Sequence, residues 1–167
     1  MAYTIADTFL GFPKIASTST APWTGNGALP PLGTIVSAID PTYGAGEFIF
    51  LKGLAATAVG SWVTYNTDDF STTLLAANAI GPVAIAMSAN LASQYGWYQI
   101  QGKARGLALA AFADNANVYS TATPGSVDDT IVAGDRVKNA VGASVIVDAG
   151  LAEFEINRPW VDDALAA

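Results

Sequence analysis

The sequence contains no cysteine and no histidine, and these two absences remove several kinds of chemistry. Without cysteine the fold has no disulfide and the chain offers no thiol nucleophile. Without histidine it lacks the side chain that most often serves as a general base near neutral pH. A Gly-x-Ser-x-Gly turn, a phosphate-binding loop and a dinucleotide-binding glycine motif are also absent. These absences disfavour an enzyme, and we expect no catalytic residue, cofactor or bound metal.

Charged residues are scarce, at 13% of the chain against roughly 25% in an ordinary soluble domain. The formal net charge is −7, and the seven lysines and arginines are scattered along the chain. A nucleic-acid surface needs clustered basic side chains to neutralise phosphates, so we predict no direct nucleic-acid binding. Because few charges are available to cover a solvated surface, we expect part of the apolar surface to be buried in a homo-oligomer or a larger assembly.

A long uncharged run, from Phe70 to Gly102, raises the question of a membrane span. Its polar and helix-breaking residues include Asn78, Gly81, Pro82, Asn90, Gln94 and Gln99. Such residues would leave a lipid-exposed helix poorly satisfied. The N-terminus also lacks a basic segment followed by an apolar core, the pattern of a signal peptide. We therefore expect a soluble chain with no membrane contact.

Glycine and proline divide the chain after residue 32 into short apolar segments. Hydrophobic residues make up 51% of the sequence, yet 16 glycines and 8 prolines interrupt them. This combination favours short strands joined by tight turns over long helices. The predicted strands are Thr34–Ile39, Glu47–Leu54, Ser61–Tyr65, Val83–Met87, Trp97–Gln101, Leu107–Phe112, Val118–Ser120, Thr130–Lys138 (interrupted at Gly134 and Asp135), Ala143–Val147 and Ala152–Asn157. Only Thr73–Asn78 and Val161–Ala167 resemble helical segments, and each is too short to be stable alone.

The predicted fold is all-β, a small β-barrel or β-sandwich spanning residues 33–161 with a C-terminal tail at 162–167. Strand Ala152–Asn157 alternates between polar and apolar residues, which predicts one solvated and one buried face. Residues Phe48–Leu51 and the central residues of the strand pair Val83–Met87 and Trp97–Gln101 are apolar on both faces, which is typical of burial between layers or against another chain. Since Trp97 and Tyr98 point to opposite faces, a half-solvated sheet would bury only one of them, and we expect the other at a subunit contact.

Residues 1–32 differ from the remainder, and we interpret them as an extended arm. Phe9, Phe12, Ile15 and Trp23 follow neither helical nor alternating spacing, and four prolines favour an extended path. Such an arm would lie across a neighbouring subunit or a partner. The alternative is a segment folded back over its own core.

Three further groups of residues admit more than one interpretation. Glu153 and Glu155 could form a glycosidase carboxylate pair, but a solvated strand face explains them and is favoured. Asp128 and Asp129 could contribute oxygen ligands to Ca²⁺, although no EF-hand loop surrounds them. A third group could form the core, a subunit interface or a sugar-stacking platform: Trp62, Tyr65, Tyr95, Trp97 and Tyr98.

Several segments together resemble one protein family. They are Leu32–Asp40, Gly46–Gly53, Gly60–Tyr65, Gly81–Ala86, Tyr95–Gly102, Asp114–Tyr119, Val127–Asp129 and Asn157–Val161. Over about residues 32–161 this succession is similar to the capsid decoration (cement) proteins of tailed bacteriophages, in pattern more than in a diagnostic motif. The proline-rich residues 1–32 have no clear counterpart in that pattern.

The resemblance implies a small β-barrel that forms a homotrimer on the outer surface of the virion capsid. There it would hold neighbouring major capsid protein subunits together, with no catalytic residue. The candidate residues for the subunit or capsid interface are Phe9, Phe12, Trp23, Phe48, Phe50, Trp97, Tyr98 and Trp160. The alternative function is a glycan- or receptor-binding module of a phage head fibre or tail.

Overall fold

The computed structural model describes residues 4–5, 12–19 and 30–162, and residues 4–5 only in their backbone. These residues form an all-β fold without a helix, so the predicted fold class is confirmed. The strands are β1 (Thr4–Ile5), β2 (Thr18–Ser19), β3 (Ile35–Asp40), β4 (Gly44–Lys52), β5 (Trp62–Tyr65), β6 (Thr72–Leu74), β7 (Ile80–Ala86), β8 (Tyr95–Leu107), β9 (Asn117–Ser120), β10 (Val127–Asp128), β11 (Arg136–Gly142) and β12 (Leu151–Asp162). Among the described residues there is no helix that could span a membrane.

Strand β8 is the centre of the sheet. It pairs with β4 along one side, from Lys52 opposite Tyr95 to Gly46 opposite Gly102. Along its other side it pairs first with β7 and then, from Gln101 onward, with β12. The order across the sheet is β1-β3-β4-β8-β7-β12-β11-β9-β10, with β5 and β6 branching from β7 and β2 pairing with β8. Every strand pair is antiparallel, which short turns permit.

The sheet is covered on both faces, and this is why β4 and β8 are apolar on both sides. Phe48, Phe50 and Trp97 pack in one cluster, and Ile49, Leu51 and Tyr98 pack in another. The largest cluster lies between the C-terminal part of β8, β12 and their neighbours, where the Trp62 ring meets the Phe154 ring edge-on at 4.9 Å. Because successive side chains of a strand point to opposite faces of the sheet, β4 and β8 each contribute to two of these clusters.

Because both faces of the sheet are covered within the chain, the expectation that Trp97 or Tyr98 lies at a subunit contact is wrong. Both side chains are 0% exposed within the single chain. The argument assumed a half-solvated sheet, whereas residues from β5, β6 and β7 cover one face and residues 12–15 cover the other.

Residues 12–19 pack on the chain's own core, as the alternative interpretation of the N-terminal segment expected. Ile15 is 2% exposed in the cluster around Trp97, and the Phe12 ring lies 6.1 Å from that indole. The Trp97 indole N–H donates to the carbonyl of Pro13 at 3.1 Å. The remaining residues of the predicted arm, 1–3, 6–11 and 20–29, lie outside the described residues.

The structure corrects several predicted elements. Thr73–Asn78 does not form a helix, because Thr72–Leu74 pairs with β5 as strand β6. The predicted helical tail begins inside β12, which runs to Asp162, and residues 163–167 lie outside the described residues. The predicted strand Thr130–Lys138 starts only at Arg136, because buried Asp135 holds the preceding turn: its carboxylate accepts from the backbone N–H of Asn78 and the Ser120 hydroxyl.

Two more predicted strands are absent. Residues 143–147 form the connection between β11 and β12. The predicted strand Leu107–Phe112 contributes only its first residue to β8 and then turns, with Ala111 in a left-handed backbone conformation. Apolar β-branched residues in a connecting segment produced the first error, since composition alone does not distinguish a strand from an apolar loop.

Gly102 provides the first stability prediction. It has φ +99°, and a Cβ there would lie 2.5 Å from the carbonyl oxygen of Ala45 on β4. We expect Gly102→Ala to lower the free energy of unfolding by about 3 kcal/mol or more, combining left-handed strain with overpacking against backbone. The matched control is Gly44→Ala, at φ +76° with open space around it; strain alone should cost about 1–2 kcal/mol. Urea unfolding measures both, and equal losses would contradict the close contact.

Ile15 provides the second stability prediction. We expect Ile15→Ala to lower the free energy of unfolding by about 2–4 kcal/mol, because a fully buried aliphatic side chain leaves a cavity. The control, Ile35→Ala, makes the same change where the side chain is 43% exposed, and should cost under about 1 kcal/mol. If Ile15→Ala were as mild as its control, residues 12–19 would not belong to the core.

Candidate functional site

The outward face of β12 carries several polar and charged side chains. Phe154 and Ile156 are buried while Glu155 and Asn157 are exposed, so the predicted alternation of this strand is confirmed. The antiparallel register with β8 places Lys103 opposite Glu155 and Gln101 opposite Asn157. Directly opposed residues share a face of the sheet, so these four side chains lie together.

Glu153 is held as a carboxylate on this face. The Lys103 ammonium lies 2.6 Å from one of its oxygens, and the Tyr43 hydroxyl donates to the other at 3.2 Å. The hydrogen bond from Lys103 lowers the pKa of Glu153, and the same contact raises the pKa of Lys103. A glycosidase acid needs the opposite shift, a raised pKa that keeps its proton. The geometry therefore favours a solvated ionic face for Glu153.

An irregular stretch of backbone interrupts β12 after Asn157. The strand pairs with β8 up to Asn157 and with β7 from Trp160, so Arg158 and Pro159 lie where it changes partner. Arg158 has φ +48°, and its guanidinium forms an ion pair of 2.5 Å with Glu47 on β4. On the neighbouring strand Asn139 has φ +59°, at the matching register shift of β11. Non-glycine residues in this conformation are strained, and bulges redirect side chains.

Two grooves flank this irregular stretch. The first, which we call the amide groove, has a volume of about 480 Å³ and is lined by Gln101, Gly102, Lys103, Asn139, Val141, Glu155, Ile156 and Asn157. The second, the threonine groove, has a volume of about 440 Å³ and is lined by Thr64, Tyr65, Asn66, Thr67, Ser71, Thr73, Ile80, Gly81 and Pro82. Both are surface-open depressions; the lining of the threonine groove is mainly polar, whereas that of the amide groove combines polar groups with a larger apolar surface.

An exposed apolar surface lies beside the threonine groove, and we call it the Trp160 patch: Trp160, Ile80 and Pro82. Trp160 is 44% exposed and Ile80 is 69% exposed. The register places Trp160 opposite Pro82 and Asp162 opposite Ile80, so all four share one face. An ion pair between Lys138 and Asp162 borders the patch. The arrangement is an aromatic centre with a charged rim, which is the usual organisation of a protein interface.

The predicted interface residues that the structure describes separate into three groups. Phe48, Phe50, Trp97 and Tyr98 are completely buried in the chain's own cores and offer no surface to a partner. Phe12 is half-buried against Trp97. Trp160 alone among the described candidates is exposed, whereas Phe9 and Trp23 lie outside the described residues.

Other predicted sites do not assemble into a functional arrangement. The aromatic platform is not present, because Trp62, Trp97 and Tyr98 lie in different clusters and are 0% exposed. The Asp129 carboxylate accepts a hydrogen bond from the backbone N–H of Ala113. Within the described ranges no three acidic side chains converge on a point where a metal ion would bind.

Sequence reasoning missed Ile80, Pro82 and the amides of Gln101, Asn139 and Asn157. Their common location depends on strand register, which no local pattern specifies. One signal was available: a proline at 159, inside an otherwise alternating strand, indicates an interrupted ladder. No protein-family model, curated protein or solved structure matches the chain.

The Glu153–Lys103 pair makes a pH-dependent prediction. Because the folded-state pKa of Glu153 is lowered, the pair stabilises the fold above the ordinary glutamate pKa and loses its effect as the pH falls through the folded-state pKa. We expect Glu153→Gln to cost about 0.5–1 kcal/mol at pH 7, the scale of a solvent-screened surface pair, and almost nothing at pH 2.

The control is Glu155→Gln, on the same strand face, since Glu155 makes no hydrogen bond or ion pair with the described residues. Its cost should stay within about 0.5 kcal/mol at both pH values. Denaturant unfolding at the two pH values measures both variants. A constant cost of Glu153→Gln across this range would contradict the pairing.

Proposed function

We propose that the protein is a non-enzymatic structural protein of a virus particle, a capsid decoration protein that binds the outside of a phage head and stabilises contacts between major capsid protein subunits. The observation that carries the proposal is the Trp160 patch. Trp160 belongs to the closing Asn157–Val161 segment, which is one of the segments that resemble the decoration proteins.

The chemistry of the patch suits docking to another protein. Tryptophan is among the residues that dominate binding energy at interfaces, particularly where a ring of less important contacts excludes water. Ile80 and Pro82 extend the apolar area on the same face. Burying such surface stabilises a complex by about 25 cal/mol per Å² of apolar area before the costs of association are subtracted.

The low charge of the chain supports assembly as well. Few charged residues are available to solvate the surface, and further large apolar side chains are exposed elsewhere, among them Ile39, Leu91, Ile131 and Val145. In the proposal these residues contact copies of the same chain, and the Trp160 patch contacts the major capsid protein. A homotrimer that bridges neighbouring capsid subunits would oppose the outward pressure of packaged DNA by holding those subunits together.

Co-sedimentation with expanded, undecorated phage heads tests the proposal. We expect the unsubstituted protein to sediment with the heads and Trp160→Ser to weaken binding about 30-fold or more, since losing an interface aromatic anchor costs about 2 kcal/mol or more.

The matched control is Val147→Ser, which replaces another exposed apolar side chain, 58% exposed on the β11–β12 connection. It should bind as the unsubstituted protein does. Failure of the unsubstituted protein to sediment with heads would overturn the capsid proposal. Equal loss in both variants would remove the Trp160 patch from it.

A further inference from the structure

The amide groove has a feature that neither the ionic face nor the Trp160 patch accounts for. Three side-chain amides, those of Gln101, Asn157 and Asn139, come from the three adjacent strands β8, β12 and β11 and line one depression. The carboxylate of Glu155 lines it too. Each amide offers two N–H donors and an acceptor oxygen, and the carboxylate offers acceptors only.

None of these four side chains is occupied by the protein itself. Across the described part of the chain, the side chains of Gln101, Asn139, Asn157 and Glu155 form no hydrogen bond or ion pair. By contrast, other polar side chains nearby are engaged: Lys103 pairs with Glu153, and Arg158 pairs with Glu47. The groove thus presents a set of donors and acceptors that a ligand can use without displacing an internal contact.

The backbone around the groove is strained at two places. Asn139, which lines the groove, and Arg158, which follows the groove residue Asn157, both have positive φ. Seven other described non-glycine residues also have positive φ, so the conformation does not mark a binding site by itself. At Asn139 and Arg158 it accompanies the register shift of β11 and the change of partner of β12. Here the two irregularities on β11 and β12 aim the amides of Asn139 and Asn157 into the same depression.

We propose that the amide groove binds a neutral glycan. Sugar hydroxyls donate and accept at closely spaced positions, and this matches a row of amides with a neighbouring carboxylate. The side chain of Val141, which is 41% exposed, provides an apolar surface for the C–H face of a sugar ring. The site goes beyond the proposed capsid contact, because it lies on the β8–β12–β11 surface and uses none of the Trp160 patch residues.

Two other ligand classes fit less well. An anionic ligand would face the unpaired charge of Glu155 and the net charge of −7, while the ammonium of Lys103 is engaged by Glu153. A peptide that adds as a strand needs the unpaired backbone of a sheet edge. The groove instead lies over β12, whose backbone is paired with β8 on one side and β11 on the other.

Titration of the ¹⁵N-labelled full chain with tetrasaccharides of glucose, mannose, galactose and N-acetylglucosamine tests this. We expect at least one of them to shift the side-chain NH₂ resonances of Gln101, Asn139 and Asn157 in a saturable manner by about 10 mM, the weak range of a few hydrogen bonds. Asn157→Ala should weaken the binding about 3- to 10-fold, the loss of one or two such bonds. Asn139→Gly should act similarly while keeping the left-handed backbone accessible.

The control is Thr73→Ala in the threonine groove, which should leave the glycan affinity unchanged, and urea unfolding confirms that each variant is folded. The proposal is overturned if no tetrasaccharide shifts the three amides. It is equally overturned if the shifts persist at the same affinity in Asn157→Ala and Asn139→Gly, or if they map to the threonine groove and are lost in Thr73→Ala.

Discussion

The close approach of β8 to β4 at Gly102 is the contact on which the architecture depends. Ile100 is an extra residue in β8, because Glu47 lies opposite Gln101 and Phe48 lies opposite Gln99. Beyond this bulge β8 leaves β7 and pairs with β12. Buried Gln99 supports the change of direction by donating to the carbonyls of Gln101 and Lys103, each at 3.1 Å. A side chain larger than hydrogen at position 102 would push β4 away from this junction.

The change of partner of β8 explains why the most apolar strand pair, β4 with β8, is internal. Since β8 contributes to several layers, Phe50 and Trp97 meet one cluster while Leu51 and Tyr98 meet another. The sequence was sufficient to predict an all-β fold, its glycine-rich turns and the alternation of β12. It did not predict the length of the two central strands, since β8 has 13 residues and β12 has 12. It was not sufficient to predict which apolar face meets solvent, because that depends on which distant segments cover each face: here Ile15 and Phe12 from near the N-terminus.

The candidate sites were likewise predicted only in part, because some of their residues come together only through strand pairing. Trp160 was identified from the chain, but its neighbours Ile80 and Pro82 come together with it only through the β7–β12 register. The amide groove depends on two backbone irregularities, at Asn139 and Arg158. Neither position is a glycine, so the sequence does not indicate the positive φ there. Local propensity does not predict bulges, because a bulge is fixed by the two strands that must match across it.

The irregular segment Asn157–Pro159 has one further consequence. It stands between the amide groove and the Trp160 patch and determines the orientation of both, since strand side chains alternate strictly outside it. Because Asn157 and Arg158 are both exposed, the alternation restarts after them, with Pro159 and Val161 buried and Trp160 exposed. Strict alternation from Ile156 onward would instead bury Trp160. The extra exposed residue therefore allows Asn157 of the amide groove and Trp160 of the Trp160 patch, three positions apart, to face solvent together.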